Sequence, residues 1–494
     1  MTPHILLFNP AALSGWQPSP RMELPLSLLC PATPVDRAGY RVTIVDQSVN
    51  RDWRRELEEA LKTKPLCFGV TCMTGPQIFH ALAVCKLVRE RQPDAPIVWG
   101  GIHGSILSQQ TLQNPYVDIV VVGEGEATFI ELVRALESGA PLAQVKGIAF
   151  RENGRVTFTG TREFVDMDAQ PPLAYHLVDV SRYRRRLFGV DHVAFNSSRG
   201  CAFDCAFCWD PVMHQRRFRA MRPETVLDQL QRLMHDYGLH GFWFNDDNFF
   251  TDPRRSEEIF LAIVRAGLNI TIGKLHVRAD ALCRMNTESL DLMARAGVRT
   301  LTMGVESGSP RLLELINKRI SVDQVVEANR RLLRHGITPS YTFMMGLPDE
   351  TPDELAQTVR LALQLTDENP GARWGFNVYT PYPGTELYNL LVAKYGFKPP
   401  GRLEEWGEYN YRDVREDASW VPKETKRLIR ALDFPLMCNA QAKAMASYKR
   451  INPIVALSMR VYGPLARYRI RHLDARFPIE TKLVKSLGLF ARRK

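Results

Sequence analysis

Three cysteines, Cys201, Cys205 and Cys208, stand in the stretch GCAFDCAFCW as a CxxxCxxC loop. Thiolates are soft donors that suit zinc or iron–sulfur clusters. Structural zinc takes four protein ligands in a closed site. Here three thiolates have no fourth partner at the usual spacing, and His214 lies six residues on. A [4Fe–4S] cube held by three thiolates instead of four keeps one iron open. An open iron can chelate a substrate, which makes the arrangement catalytic; zinc is the alternative. The other six cysteines, Cys30, Cys67, Cys72, Cys85, Cys283 and Cys438, lie singly in apolar or loop contexts, and most of them read as reduced and buried. An odd total of nine argues against a disulfide framework.

The elements around this loop alternate. From 191 to 390 the candidate strands are 192–198, 241–247, 271–277, 300–306, 341–346 and 375–380, with helical patterns between them such as 223–237, 253–266, 287–296 and 322–335. Six βα units predict a partial (β/α)6 barrel. The first 150 residues alternate in the same way, with apolar runs at 4–10, 41–47, 66–75, 96–104 and 118–126. That pattern implies an α/β fold with a doubly wound parallel sheet. Its strands run out into Asn9-Pro10, Thr74-Gly75, Gly100-Gly101 and Gly123–Gly125. Such an edge is where open α/β sheets bind ligands, and glycines let a large ligand approach the backbone; tight strand-to-helix turns are the plainer explanation of any one of these loops. Residues 151–190 contain a hairpin signal at Asn153-Gly154 and a basic run, Arg182–Arg186, and read as a connector. Residues 391–494 read as mostly helical.

The CxxxCxxC loop after the first strand of a βα barrel resembles the radical S-adenosylmethionine (radical SAM) superfamily. FNDDNFF (244–250), HVRADAL (276–282), GVESGS (304–309), MMGLPDET (344–351) and YTPYPGTELY (379–388) resemble that family's later strand ends, in order. The resemblance implies that Cys201, Cys205 and Cys208 hold a [4Fe–4S] cluster whose open iron binds AdoMet. One electron would then cleave AdoMet to methionine and a 5′-deoxyadenosyl radical. It further implies AdoMet contacts from Phe207, Asp246, Asn248, Arg278, Glu306 and Ser307. For Arg278 and Asp246 a plain buried salt bridge is an equal alternative, and Asp247 is expected to cap the following turn.

The first 150 residues resemble the cobalamin-binding domain, of flavodoxin or Rossmann-like fold, that is fused to one radical SAM class of methyltransferase type. GVTCMTG (69–75), VWGGIHGS (98–105) and DIVVVGEGEATF (118–129) carry the likeness. They imply cobalamin contacts from Thr71, Cys72, Met73, Thr74, Gly100, Gly101, His103, Gly123, Glu124, Gly125 and Glu126. One departure stands out. Asp46-Gln47-Ser48-Val49-Asn50 falls where an Asp-x-His-x-x-Gly motif would supply a histidine below the cobalt, and it has none. The cobalamin is therefore expected base-off and without a histidine ligand. A domain of this fold that has lost its cofactor is the alternative.

The implied activity is cobalamin-dependent radical transfer of a methyl group to an unactivated carbon. The alternatives are a cobalamin-dependent cyclase or rearrangement enzyme without net methyl transfer and, in another class, a cobalamin sensor. The expected partners are a small-molecule substrate and an electron donor such as flavodoxin or ferredoxin. The net charge of +10 is uneven: Lys426–Lys494 alone carries sixteen basic and three acidic residues. Apolar residues interleave there, including Leu428, Ile429, Leu432, Ile454, Leu457, Val461 and Tyr462. A basic amphipathic stretch can lie on a membrane surface, and a hydrophobic, lipid-like substrate would follow. The alternative is a solvated basic cap packed on the barrel. No nucleic-acid-binding module accompanies the charge, and no nucleic acid is expected. MTPHILLFNP is not a secretory signal and no run reaches about 18 apolar residues. A cytoplasmic location is expected, at the inner membrane face if the tail docks.

Overall fold

The computed structural model describes residues 2–12, 23–409, 415, 417–445 and 453–476. It divides into two compact units. Residues 1–185 with 399–410 form the first; 186–398 with 411–493 form the second.

The first unit is built on seven strands: β1 (His4–Asn9), β2 (Arg41–Asp46), β3 (Cys67–Thr71), β4 (Ile97–Gly100), β5 (Ile119–Val121), β6 (Ile148–Glu152) and β7 (Arg155–Phe158). They are ordered β2-β1-β3-β4-β5-β6-β7. The first five are parallel, and β6 and β7 add antiparallel at one edge. All of β3 is buried, as expected for a strand covered on both faces. The strand order reverses between β1 and β3, the switch point where such sheets bind ligands. Asn153 (φ +50°) and Gly154 (φ +77°) turn the β6–β7 hairpin foreseen at that dipeptide. The helix Leu26–Arg37 contains Pro31 and Pro34, so local propensity disfavours it. Burial of Leu28, Leu29, Ala32 and Val35 holds it in place. The stretch read as a connector is tied into this unit: Tyr183 donates to Asp46 at 2.9 Å, and the Ala174 N–H donates to Thr33 at 3.0 Å.

The second unit holds β8 (Arg185–Leu187), β9 (Val190–Phe195), β10 (Ser198–Arg199), β11 (Arg219–Ala220), β12 (Gly241–Phe244), β13 (Thr271–Val277), β14 (Thr300–Glu306), β15 (Thr338–Met345) and β16 (Arg373–Val378). Its main sheet runs β16-β15-β14-β13-β12-β9-β8, and the six strands from β9 to β16 pair in parallel. This is the expected six-unit partial barrel, with β8 added from within the basic run. Asp252, Asn286, Ser309, Ser321, Thr351 and Thr385 each accept the N–H of the residue three positions on. These caps fix where the helices begin. Two long helices, Lys423–Met445 and Pro453–His472, follow the barrel. Among the described residues no helix is long and apolar enough to cross a membrane.

Candidate functional site

In the second unit the cysteine loop leaves β10 through Gly200, at φ +81°. A Cβ there would lie 2.2 Å from the Arg217 carbonyl oxygen, so only glycine fits. The loop is clamped on two sides. The Ala206 N–H donates to the Ile316 carbonyl at 2.9 Å, and the Leu387 N–H donates to the Ala206 carbonyl at 2.8 Å. Asp204 accepts from Arg319 at 3.1 Å and pairs with Arg216 at 3.3 Å. Cys201, Cys205 and Cys208 are half-buried free thiols. Burial pushes the Cys201 thiol up to about 11 and the Cys208 thiol higher still. A bound cation is what would deprotonate them. A single zinc ion at about 2.3 Å from each sulfur needs all three within about 4.6 Å of one another. The three sulfurs do not form a set that close, since the described residues yield only Asp210, His214 and Asp247 as a group within 4.8 Å. Three thiolates on one loop fit a cluster in which each takes its own iron.

Around this loop lie groups from several strand ends. Glu306 closes β14 in the left-handed region, at φ +69°, where the pairing with β15 shifts register. Non-glycine residues held there are strained, and such strain clusters at functional sites. Its Oε1 accepts from Lys318 Nζ at 2.8 Å, and Lys318 also stands 5.6 Å from the Phe207 ring centroid. Burial pulls the Lys318 ammonium down, but the Glu306 and Cys205 charges more than offset it and raise it. Asn248 is 4% exposed, and neither its amide nitrogen nor its oxygen has a hydrogen-bond partner. A buried amide in that state has both its donor and its acceptor available to a bound group.

Other residues expected at AdoMet are engaged within the protein. Asp246 accepts from the Ser197 N–H at 2.7 Å and from the Ser197 and Ser198 hydroxyls at 2.6 Å. It thereby anchors the approach to the cysteine loop. Arg278 donates to Asp280 at 3.0 Å and to the Lys318 carbonyl at 2.7 Å, and lies 3.8 Å from the Phe203 ring centroid. Ser307 bonds Thr358 at 3.0 Å and takes the Ser309 N–H at 3.1 Å. Asp247 accepts from the Gly200 N–H at 2.9 Å rather than from its own following turn.

Sequence reasoning did not single out Lys318, Asp210 or His214 for this neighbourhood. Asp210 is 2% exposed, and neither carboxylate oxygen makes a well-formed hydrogen bond. Burial and the adjacent Asp247 charge raise its pKa. His214 Nε2 lies 3.9 Å from Asp210, while His214 Nδ1 meets Arg219 at 3.0 Å. A buried carboxylate beside a second, partly exposed one calls for a shared proton or an outside cation.

In the first unit the carboxyl edge of the sheet gathers the glycine loops. A Cβ on Gly101 (φ +87°) would lie 2.7 Å from the Cys72 carbonyl oxygen and 2.9 Å from Thr71 Oγ1. The Cys72 side chain turns into the core, at 0% exposure, whereas Met73 beside it is 53% exposed. Thr74 Oγ1 bonds His103 Nδ1 at 2.9 Å. The His103 ring is fully buried, Nε2 has no partner, and burial lowers its pKa to about 4. Gly123 (φ +83°) takes a bond from its N–H to Ser105 at 3.0 Å, and a Cβ there would meet nothing. A Cβ on Gly125 would lie 3.1 Å from Pro31. Glu124 accepts the Val165 N–H at 2.8 Å, and Glu126 is buried. Asp46, where a histidine-bearing motif would start, is occupied by Asn9 at 2.9 Å, the Ser48 N–H at 2.8 Å and Tyr183.

The segment 399–410 crosses this neighbourhood. Trp406 packs edge-on against His103 and donates to Gln110 at 2.6 Å. Asn114 donates to Glu404 at 2.6 Å, and Gly407 lies against the Phe79 ring. The edge offers open backbone, an exposed apolar residue at the β3 end and one orphaned buried nitrogen. These features fit a broad ligand with an apolar face, such as a corrin ring.

Residues 22–133 match the B12 binding domain, and residues 195–362 match the radical SAM superfamily. A protein of Pyrococcus horikoshii named as an uncharacterized methyltransferase is 32% identical over 334 residues, 67% of this chain and 70% of that protein. The anaerobic magnesium-protoporphyrin IX monomethyl ester cyclase of Cereibacter sphaeroides is 29% identical over 392 residues. That match takes in 76% of this chain but only 62%, under two thirds, of the cyclase. Among solved structures, the cobalamin-dependent S-adenosylmethionine radical enzyme OxsB, with aqua-cobalamin and S-adenosylmethionine bound, shares the fold at TM-score 0.76 and 18% identity, over 99% of this chain and 75% of that one. With its cysteine loop on the partial barrel and a B12-binding domain before it, the chain belongs to the cobalamin-dependent family of radical SAM enzymes.

Proposed function

We propose that this enzyme transfers a methyl group to an unactivated carbon of a small molecule. The observation that carries the reading is the 32% identity, over 67% of this chain, to a protein named as an uncharacterized methyltransferase. When bound, the cluster with AdoMet supplies a hydrogen-abstracting radical, and cobalamin supplies a methyl carrier. The chain's own residues position and shield these groups. Cys201, Cys205 and Cys208 hold the cluster. Phe207 offers its face to the adenine. The unpartnered Asn248 amide and the Asp210–Asp247 carboxylates offer acceptors for the AdoMet amino group. Lys318 keeps Glu306 in its strained conformation beside Phe207. Asp246, Arg278 and Ser307 act as positioning residues that hold the strand ends. In the first unit the backbone at Met73–Thr74, Gly100–Gly101 and Gly123 receives the corrin, and Met73 lies exposed beside it. An electron donor of the flavodoxin or ferredoxin kind reduces the cluster.

A second reading, cyclisation or rearrangement without net methyl transfer, is favoured by the similarity to the cyclase. One assay separates the two. The reconstituted protein is incubated anaerobically with AdoMet, reductant and candidate substrates, and the products are weighed by mass spectrometry. A product heavier by one methyl group, with S-adenosylhomocysteine and 5′-deoxyadenosine both formed, supports methyl transfer. A product of unchanged carbon count overturns it.

A further inference from the structure

We infer that the helix Pro453–His472 is a docking surface for an anionic bilayer, lying in its interface. The inference is independent of the reaction proposed above. The helix has two opposite faces. Ala466 and Ile470 are fully buried, and Ala466 packs with Cys438 of the preceding long helix, flanked by Phe434 and Tyr462. Val461, Leu465 and Tyr468 are 74%, 48% and 51% exposed. Spacings of four and three residues place these three on one side of the helix, away from Ala466 and Ile470. A solvated basic cap with one packed apolar face accounts for Ala466 and Ile470 but not for the apolar side chains exposed on the other side.

Basic residues flank the exposed face. Arg467 pairs with Asp367, and Arg471 reaches the same carboxylate at 3.6 Å. Arg469 donates to the Arg476 carbonyl at 3.3 Å. One carboxylate thus serves two of these arginines, and residues 453–476 hold five arginines against the single acid Asp474. Residues 426–494 carry a net charge of +13. An apolar stripe with cationic flanks matches the boundary between headgroups and acyl chains, where arginine stems lie along apolar surface and their heads reach phosphate. Charge complementarity selects an anionic membrane over a second copy of the chain, because a copy would bring the same positive field to the contact.

The test is flotation of the full-length protein with phosphatidylglycerol–phosphatidylcholine vesicles and with phosphatidylcholine vesicles alone. Binding is expected to the anionic vesicles at low salt and to weaken as salt screens the charge. The triple variant Val461→Glu, Leu465→Glu, Tyr468→Glu, checked for unchanged circular dichroism, should bind at least about tenfold more weakly. Absence of binding at low salt overturns the inference. So does equal binding by the triple variant, which would leave a charge effect of the kind nucleic acid also exploits. A dimer in analytical ultracentrifugation that the triple variant dissolves would assign the stripe to self-association and likewise overturn it.

Discussion

Trp406 meets His103 edge-on, the two ring centroids 5.8 Å apart at an interplanar angle of 64°. The two side chains come from opposite ends of the sequence. The tryptophan belongs to a segment that follows the partial barrel, yet it packs within the B12-binding unit. It is 1% exposed and its indole N–H is bonded to Gln110. The barrel's C-terminal extension is thus part of the structure at the carboxyl edge of the first sheet.

Removing that indole tests the relationship. Trp406→Ala leaves a cavity beside His103 and an unanswered Gln110 oxygen, at a cost of about 3–5 kcal/mol to the first unit. The thermal midpoint should fall, and the cobalamin retained per chain should fall with it. The cluster's iron content, set in the other unit, should hold. Trp406→Phe keeps most of the packing and should retain cobalamin. Unchanged retention in the alanine variant would deny the segment a part in the site.

His103 gives two further expectations. Its Nδ1 is bonded to Thr74, so Nε2 is the nitrogen a cobalt would take; without an Asp-x-His-x-x-Gly motif no such ligation is expected. His103→Ala should leave the nitrogen hyperfine pattern of the Co(II) paramagnetic spectrum unchanged; loss of such a pattern would make it a ligand. Its second consequence is a pH dependence. Burial lowers its pKa from 6.5 to about 4. Between those values the unfolded chain binds a proton that the folded unit does not. Stability therefore rises with pH across the window and is lost as pH falls through it. Lowering the pH from near 7 to near 5 should cost about 2 kcal/mol at this residue. His276, lowered to about 4 chiefly by desolvation, adds in the same direction. Denaturant midpoints of His103→Phe should show a shallower acid limb than those of the parent chain.

The strands could be read in the sequence because a buried parallel strand is a short apolar run bounded by turn residues, as in 271–277 and 300–306. The cysteine loop was legible because its spacing carries its chemistry. The helix at Leu26–Arg37 was not, since two prolines argue against it and only tertiary burial favours it. The basic run at Arg182–Arg186 looked like a linker, yet Arg185–Leu187 is an edge strand, where charge is tolerated. Lys318 carries no motif, and it reaches the site because the chain after the helix Pro310–Leu315 folds back over β14. Trp406 was hidden for a like reason: its partner is an element hundreds of residues earlier. The roles of Asp246 and Arg278 were left open between ligand and strut. The hydrogen bonds that fill both side chains are visible only in three dimensions.

Cys205→Ala removes one of three thiol ligands. The [4Fe–4S] absorbance and iron content should drop to near background, and AdoMet cleavage with them. Cobalamin should stay bound, because every residue assigned to it lies in the other unit. Cleavage at the parent rate would remove the cluster assignment.

The last prediction concerns Lys318 and Glu306. Both are nearly buried, at 7% and 8% exposure, and they meet at 2.8 Å. A Cβ on Gly304 would fall 2.3 Å from Glu306 Oε1 and 2.9 Å from Lys318 Nζ, so the pair occupies the space over that glycine. Removing one partner of a buried pair leaves the other charge uncompensated, at a cost of about 3–5 kcal/mol. Lys318→Met should therefore lower stability by that amount, and Glu306 would lose the contact that holds it at positive φ. The double variant Lys318→Met, Glu306→Gln leaves no lone charge and should recover much of the stability. If the pair serves only the fold, the double variant will also regain AdoMet affinity in equilibrium binding to the cluster-loaded protein. If it positions the AdoMet site, affinity will stay low while the thermal midpoint recovers. The second outcome is expected, because the pair sits against Phe207 inside the cysteine loop and Glu306 stands in a strained conformation at a barrel strand end.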